Sequence, residues 1–424
     1  MSNFLDKIFL RSKNLDYISK NIKNFTSQTP VKKIFEAINN YSENSEIRYV
    51  GGYVRKVINR EDIDDVDLAT NLNPGEICDA LKKKEINFYK TGIEHGTITA
   101  TIDHQKYEIT SLRKDVKTDG RHAEVEFFMD WSEDASRRDF SINSIYSDKE
   151  GNLFDPNNGK KDLELGVINF IGDPEIRIKE DYLRILRYIR FYVNYSKKKH
   201  NPKIINIIKR NIGGVSKLSS ERLLDELKKL IKSKNFLNVL KDQVCLELIE
   251  IIFPQLKQLN RLKKLNTFAL QNFKEMDFIF LVSLMIIDGT DNVDYFFYKF
   301  NISKKDQKRI KLIDSYFKEI AINKLFNEKN LNKILYFKGK QALIDIINFK
   351  LFTSNKGEKK LVKMIEVYKN KEIPHMPVGA KDLMSNYNIQ EGKLLGTKLR
   401  LLEETWIQNG FVINEKQIQK IVKN

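Results

Sequence analysis

The stretch Tyr49-Val-Gly-Gly-Tyr-Val-Arg55, followed by Ile63-Asp-Asp-Val-Asp-Leu68, decides how the rest of the chain is read. An apolar run, Ile47 to Val50, predicts a strand, and Val54 to Ile58 predicts a short helix. Gly51 and Gly52 fall between them. A glycine pair at a strand-to-helix turn lets backbone N–H groups approach an anion, and the helix N-terminus adds a favourable dipole. The same pair is also common in plain turns. A second strand is predicted over 66–69, and Asp65 and Asp67, two apart and read as extended together with it, project both carboxylates from one face. Such a pair is either a solvated sheet edge or a site whose repulsion a hard divalent cation relieves.

Working outward, further strands are predicted over 98–102, 107–112 and 124–128, with helices over 31–38 and 74–83. Strands mixed with short helices make an α+β unit with a small mixed sheet. Glu108, on the alternating strand Tyr107-Glu-Ile-Thr-Ser-Leu-Arg113, is either a surface residue or a third carboxylate. In the second reading, three carboxylates converge beside an anion cradle, a constellation suited to two-metal nucleotidyl transfer. After Pro174 the periodicity becomes helical, with long amphipathic stretches at 180–195, 220–233, 277–287 and 392–409. An all-α remainder is expected. Residues 1–29 are polar and weakly periodic and read as a loosely docked lead-in.

At this point the ordered motifs resemble one family. Gly51-Gly52-Tyr-Val-Arg55 with Asp65-Val-Asp67 is similar to the head of class II CCA-adding tRNA nucleotidyltransferases and bacterial poly(A) polymerases, members of the DNA polymerase β superfamily. The likeness continues through Thr91-Gly-Ile-Glu-His95-Gly-Thr97, Asp119-Gly-Arg121-His-Ala-Glu-Val and Ser136-Arg-Arg-Asp139-Phe-Ser-Ile-Asn143. It runs on through Asp155-Pro, Glu180-Asp181-Tyr-Leu-Arg184-Ile-Leu-Arg187-Tyr-Ile-Arg190 and Ser219-Ser-Glu-Arg222-Leu-Leu-Asp-Glu226. It implies a nucleotidyltransferase head at 30–165, a base-selecting neck at 166–235, a body at 236–345 and a tRNA-binding tail at 346–424.

The resemblance also implies roles. Asp65 and Asp67 would hold Mg2+, with Glu108 assisting catalysis. Gly51, Gly52, Arg55, Arg138 and Asp139 would position the triphosphate and sugar, and Arg187 and Arg190 would extend a basic wall. Segment 113–125 would be the loop used in switching from C to A addition. Read as a helix, Asp181, Arg184 and Arg187 share one face. An Asp acceptor beside an Arg donor matches the amino-donor and ring-acceptor edge of cytosine and adenine and opposes that of uracil and guanine. The bland alternative is an i,i+3 surface ion pair.

The expected activity is addition of CCA to tRNA from CTP and ATP without a nucleic-acid template, with the tRNA gripped at its acceptor and TΨC stems. A poly(A) polymerase shares every head motif, but Gly379-Ala-Lys-Asp-Leu383 to Leu402-Glu-Glu-Thr-Trp406 resembles the tail of compact CCA-adding enzymes. A non-catalytic RNA-binding protein is the rival from another class. Its one support is Lys56, which stands where the family carries Asp. No His-Asp dipeptide occurs among the 5 histidines, so no metal-dependent phosphohydrolase activity is expected.

Composition fits this reading. The 424 residues carry 74 Lys+Arg against 57 Asp+Glu, a net charge of +17. Residues 1–160 have a net charge of −3 and 161–424 of +20. The deficit falls where carboxylates would bind metal and the surplus where tRNA would lie, although a lysine-rich compositional bias contributes. With 41% hydrophobic and 11% aromatic residues the chain can bury more than one core. Cys78 and Cys245 cannot form a disulfide framework, no signal peptide is evident, and the longest apolar stretch, 278–287, is half a membrane span. A cytoplasmic enzyme with no obligate protein partner is expected.

Overall fold

A computed structural model describes residues 2–119, 122–127, 129–320, 327–354, 359–372 and 374–423. The chain divides into two compact units, Met1–Leu227 and Lys228–Asn424. The sheet lies in the first, and the described part of the second is helical.

The first unit opens with α1 (Ser2–Gln28) and α2 (Val31–Asn39). The expectation of a loose lead-in is corrected. Ile18 and Ile22 are fully buried, the Ser19 hydroxyl donates to Gly151 O at 3.2 Å, and Thr26 shares a 2.7 Å bond with the Tyr49 hydroxyl. The polar residues between Ile18, Ile22 and Phe25 hid this contact in the sequence. Phe25, Phe35, Tyr49 and Tyr53 form an aromatic cluster, with Tyr49 stacked on Tyr53 at 4.3 Å.

The sheet strands are β1 (Ile47–Val50), β2 (Asp67–Thr70), β3 (Asn87–Gly92), β4 (Thr97–Ile102), β5 (Gln105–Ser111), β8 (Tyr146–Ser147) and β9 (Leu153–Phe154). Their order is β3-β4-β5-β2-β1-β8-β9. β2 and β5 run parallel, with Asp67 opposite Glu108, and the other neighbours are antiparallel. Alternating burial puts Ile98, Ala100, Ile102, Tyr107 and Ile109 inside. Between β2 and β3 lies α4 (Pro74–Lys83), entered through a capping box. Asn73 Oδ1 accepts from Glu76 N at 3.0 Å, Glu76 Oε2 accepts from Asn73 N at 2.8 Å, and Pro74 takes the first helical position.

The segment expected as a loop at 113–125 is instead a two-stranded antiparallel ribbon, β6 (Arg113–Asp119) and β7 (His122–Phe127). Gly120 and Arg121, which close the expected turn, lie outside the described residues. The remaining helices of this unit are α3 (Gly52–Asn59), α5 (Trp131–Arg137), α6 (Gly159–Leu165), α7 (Pro174–Glu180), α8 (Leu183–Tyr195) and α9 (Pro202–Asn211), and α10 (Ser220–Ile231) begins in it and ends in the second. The continuous helix expected over 180–195 is broken. Asp181 is extended (φ −150°, ψ 105°) between α7 and α8, so it does not share a helical face with Arg184.

In the second unit, α11 (Gln243–Ile252) to α15 (Lys304–Ile320) include α13 (Phe278–Ile286), whose residues from Phe280 to Ile286 are all buried. Its apolar run is therefore a core helix, and no described helix is long and apolar enough to cross a membrane. A core of Leu331, Leu335, Leu343, Ile347 and Ile365 joins α16 (Glu328–Lys338), α17 (Lys340–Thr353) and α18 (Lys359–Asn370). A separate core of Leu383, Leu395, Leu402 and Ile418 holds α19 (Ala380–Tyr387), α20 (Lys393–Gln408) and α21 (Glu415–Lys423).

Candidate active site

Strand β1 delivers the chain to Gly51, whose backbone (φ 62°, ψ −113°) is open only to glycine, and α3 starts at Gly52. A methyl group on Gly51 would stand 3.5 Å from Arg138 Nη1, and one on Gly52 would stand 3.5 Å from Asp67 Oδ2. The glycine loop thus has a guanidinium on one side and a carboxylate on the other.

Asp67 opens β2, in register with Glu108 on β5. Asp65 precedes the strand instead of lying within it, and both Asp65 and Glu108 are exposed. Burial, reinforced by the charges of Asp65 and Glu108, pushes the Asp67 carboxyl up to about 6 against the opposing pull of Arg138 and Arg55. The three carboxylates are not drawn to within 4.8 Å of one another as a set. Their donor chemistry nevertheless fits a divalent cation. They are hard oxygen ligands, and their mutual repulsion is only partly offset by the arginines.

Sequence reading missed the residue that builds the arginine side of the site. Asp134, on α5, is buried and receives Arg137 at 2.6 Å, Arg138 at 3.1 Å and the Tyr146 hydroxyl at 2.6 Å. Burial alone would raise its carboxyl, but the two arginines and the tyrosine outweigh it and bring it to about 2. Its signal in the sequence was its i,i+3 and i,i+4 spacing to Arg137, the last residue of this short helix, and Arg138, its C-cap. Arg138 also donates to Tyr146 at 2.9 Å. Arg55 is buried, bonds Asn143 Oδ1, and lies 5.0 Å from the Phe191 ring centre. Its Nε has no hydrogen-bond partner among the described residues.

Asp139 and Arg187, expected as separate nucleotide contacts, pair with each other. Asp139 also accepts from Phe140 N at 2.8 Å and from the Asn143 amide at 2.9 Å. Against burial, Arg187 and Asn143 lead the groups that bring its carboxyl to about 2. Arg190, expected in the basic wall, pairs with the buried Glu226 of α10. Arg184 pairs with Glu180 at 2.7 Å, and Asp181 with Arg222 at 2.8 Å. The i,i+3 pair between Asp181 and Arg184 is therefore not formed. Arg177, also missed in the sequence, pairs with Glu180 and donates to the carbonyls of Arg137 and Arg138, tying α7 to the arginine side of the site.

Lys56 forms an ion pair with Asp64, the residue before Asp65. The charge reversal thus has a local partner on the segment that leads into the carboxylates. His95 lies in a 3-10 turn between β3 and β4.

Residues 47–169 match the poly A polymerase head domain, and residues 201–259 match the probable RNA and SrmB-binding site of polymerase A. The human CCA tRNA nucleotidyltransferase 1, mitochondrial, is 32% identical over 399 residues, covering 90% of this chain and 87% of the relative. The CCA-adding enzyme of Bacillus subtilis is 28% identical, covering 88% and 93%. The crystal structure of the Bacillus stearothermophilus CCA-adding enzyme in complex with CTP shares the fold, with a TM-score of 0.72, 20% identity, and coverage of 93% of this chain and 97% of that one. Likeness to the human enzyme over nearly the whole length, together with the matching head, places this chain in the family of class II CCA-adding tRNA nucleotidyltransferases and poly(A) polymerases.

Proposed function

We propose that the protein adds C, C and A to the 3′ end of tRNA, using CTP and ATP and releasing pyrophosphate. The observation that carries this reading is the Gly51-Gly52 loop held between the Asp67 carboxylate and the Arg138 guanidinium. A triphosphate laid along the loop meets backbone N–H groups and Arg138 on one side, with Arg55 behind. The tRNA 3′-hydroxyl attacks the α-phosphorus in line, forming a new P–O bond as the bond to the β-phosphate oxygen breaks.

Family membership implies a divalent metal, and we assign magnesium. Asp65 and Asp67 would hold it, with Glu108 assisting. When bound, it supplies a lowered pKa for the attacking hydroxyl and neutralises charge on the departing pyrophosphate. The chain's own part is to set these carboxylates beside the glycine loop and to hold Arg138 against Asp134.

Base choice is assigned to Asp181 and Arg184, whose acceptor and donor suit cytosine and adenine. The division into head, neck, body and tail belongs to this proposal. So does a grip on the acceptor and TΨC stems through the positive charge beyond residue 160, which recognises shape and phosphate instead of bases. A cytoplasmic location is also part of it, and cell fractionation tests that against the mitochondrial location named for the human relative.

The test is incorporation of labelled CTP and ATP into tRNA lacking its 3′ end. Addition of two C and one A, lost in a chelator and lost in Asp67→Ala with tRNA binding retained, supports the reading. Long A tracts on generic RNA would make the protein a poly(A) polymerase. No incorporation with magnesium present would make it a binding module.

A further inference from the structure

We propose that Arg222 is a positioning residue for base selection, fixing the orientation of the Asp181 carboxylate; this rests on the reading of Asp181 as a base reader. Asp181, itself extended, lies on the short link between α7 and α8, so a place within a helix does not set the direction of its side chain. Two hydrogen bonds do so instead. Oδ1 accepts from Leu183 N at 3.1 Å, and Oδ2 accepts from Arg222 Nη2 at 2.8 Å. The first comes from the first residue of α8. The second comes from α10, a separate element.

Arg222 stands one helical turn before Glu226, on the same face of α10. Glu226 is buried and pairs with Arg190 of α8, which gives α10 a fixed seat against the neck helix. The neighbouring charges are also committed, Arg184 to Glu180 and Arg187 to Asp139. Arg222 and Asp181 are each about a quarter exposed, so the pair contributes little to stability. Its geometric effect is larger. With one oxygen on the α8 amide and the other on Arg222, the plane of the carboxylate is set and its remaining lone pairs point in fixed directions. Discrimination between an amino donor and a carbonyl acceptor depends on that direction.

The experiment compares kcat/KM for CTP and ATP with that for UTP and GTP on tRNA lacking its 3′ end. It uses the full-length wild type, Arg222→Met, Arg222→Lys and Asp181→Ala, with the melting temperature of each measured alongside. Arg222→Met is expected to reduce the preference for C and A by about tenfold or more. Most of that loss should fall in selection and little in kcat with ATP, and Arg222→Lys should recover part of the preference. Wild-type selectivity in Arg222→Met with relaxed selectivity in Asp181→Ala overturns the positioning role alone. Wild-type selectivity in Asp181→Ala overturns the base-reading role and this proposal with it. Should Arg222→Met fail to fold, Arg222→Gln is read on the same ratios.

Discussion

Replacing Asp67 by Asn should destroy nucleotidyl transfer while making the metal-free protein more stable. The magnitude follows from the carboxyl's environment. Burial with Asp65 and Glu108 nearby pushes it from 3.8 to about 6, roughly two pH units at 1.36 kcal/mol each, or about 3 kcal/mol. For a carboxyl raised on folding, protonation favours the native state. The penalty is therefore fully present above about pH 6 and fades as the pH falls toward 4. Asn keeps the shape and removes the charge, so it should recover most of this energy at neutral pH. The assay is urea denaturation of chelator-stripped protein from pH 4 to 8. In a Trp406→Phe background, Trp131, packed on Tyr146 at 5.5 Å, reports the first unit alone. Asp67→Asn should exceed its parent by about 2–3 kcal/mol at pH 7.5 and match it near pH 4. Added magnesium should stabilise the parent and not the variant. Equal stability at pH 7.5, or a difference that does not change with pH, would refute the reasoning.

Other perturbations give equally definite outcomes. Asp134→Ala leaves two arginines beside a buried site without their carboxylate and should lose about 3–5 kcal/mol of stability, read by the same denaturation; a loss under 1 kcal/mol contradicts the clamp. Gly51→Ala forces an L side chain to φ 62° and toward Arg138, so it should cost about 1–3 kcal/mol and raise KM for both triphosphates, measured by steady-state kinetics. Lys56→Met removes an ion pair whose Asp64 partner is well exposed, and it should change the melting midpoint by no more than about 1 kcal/mol allows.

The sequence was most legible where local chemistry and tertiary packing agree. Strand β1 and helix α4 begin and end where their patterns predict, because an apolar run and a capping box leave no competing register. β3 escaped notice because Asn87, Lys90 and Gly92 are unlike a strand interior. It is an edge strand, with its register shifted between Tyr89 and Gly92. β8 and β9 have two residues each, too few for any periodicity. The 113–125 segment read as a loop because its charged residues obscure the pairing of β6 with β7.

At the site, types and positions were readable and partnerships were not. The glycine pair and Asp67 announce themselves by spacing. That Arg190 meets Glu226, 36 residues away, or that Arg222 meets Asp181, 41 residues away, is a property of how α8 and α10 pack. The helical face imagined for Asp181 failed for the same reason, since the backbone breaks at this residue.

The central claim is that this carboxylate and glycine-loop site builds a defined trinucleotide. It is tested most directly by the intact mass of tRNA lacking its 3′ end, after incubation with magnesium and all four nucleoside triphosphates at equal concentration. The account predicts one product, heavier by two C and one A, that does not grow further with time. A ladder of A additions, U or G in the product, or an unchanged mass would contradict it.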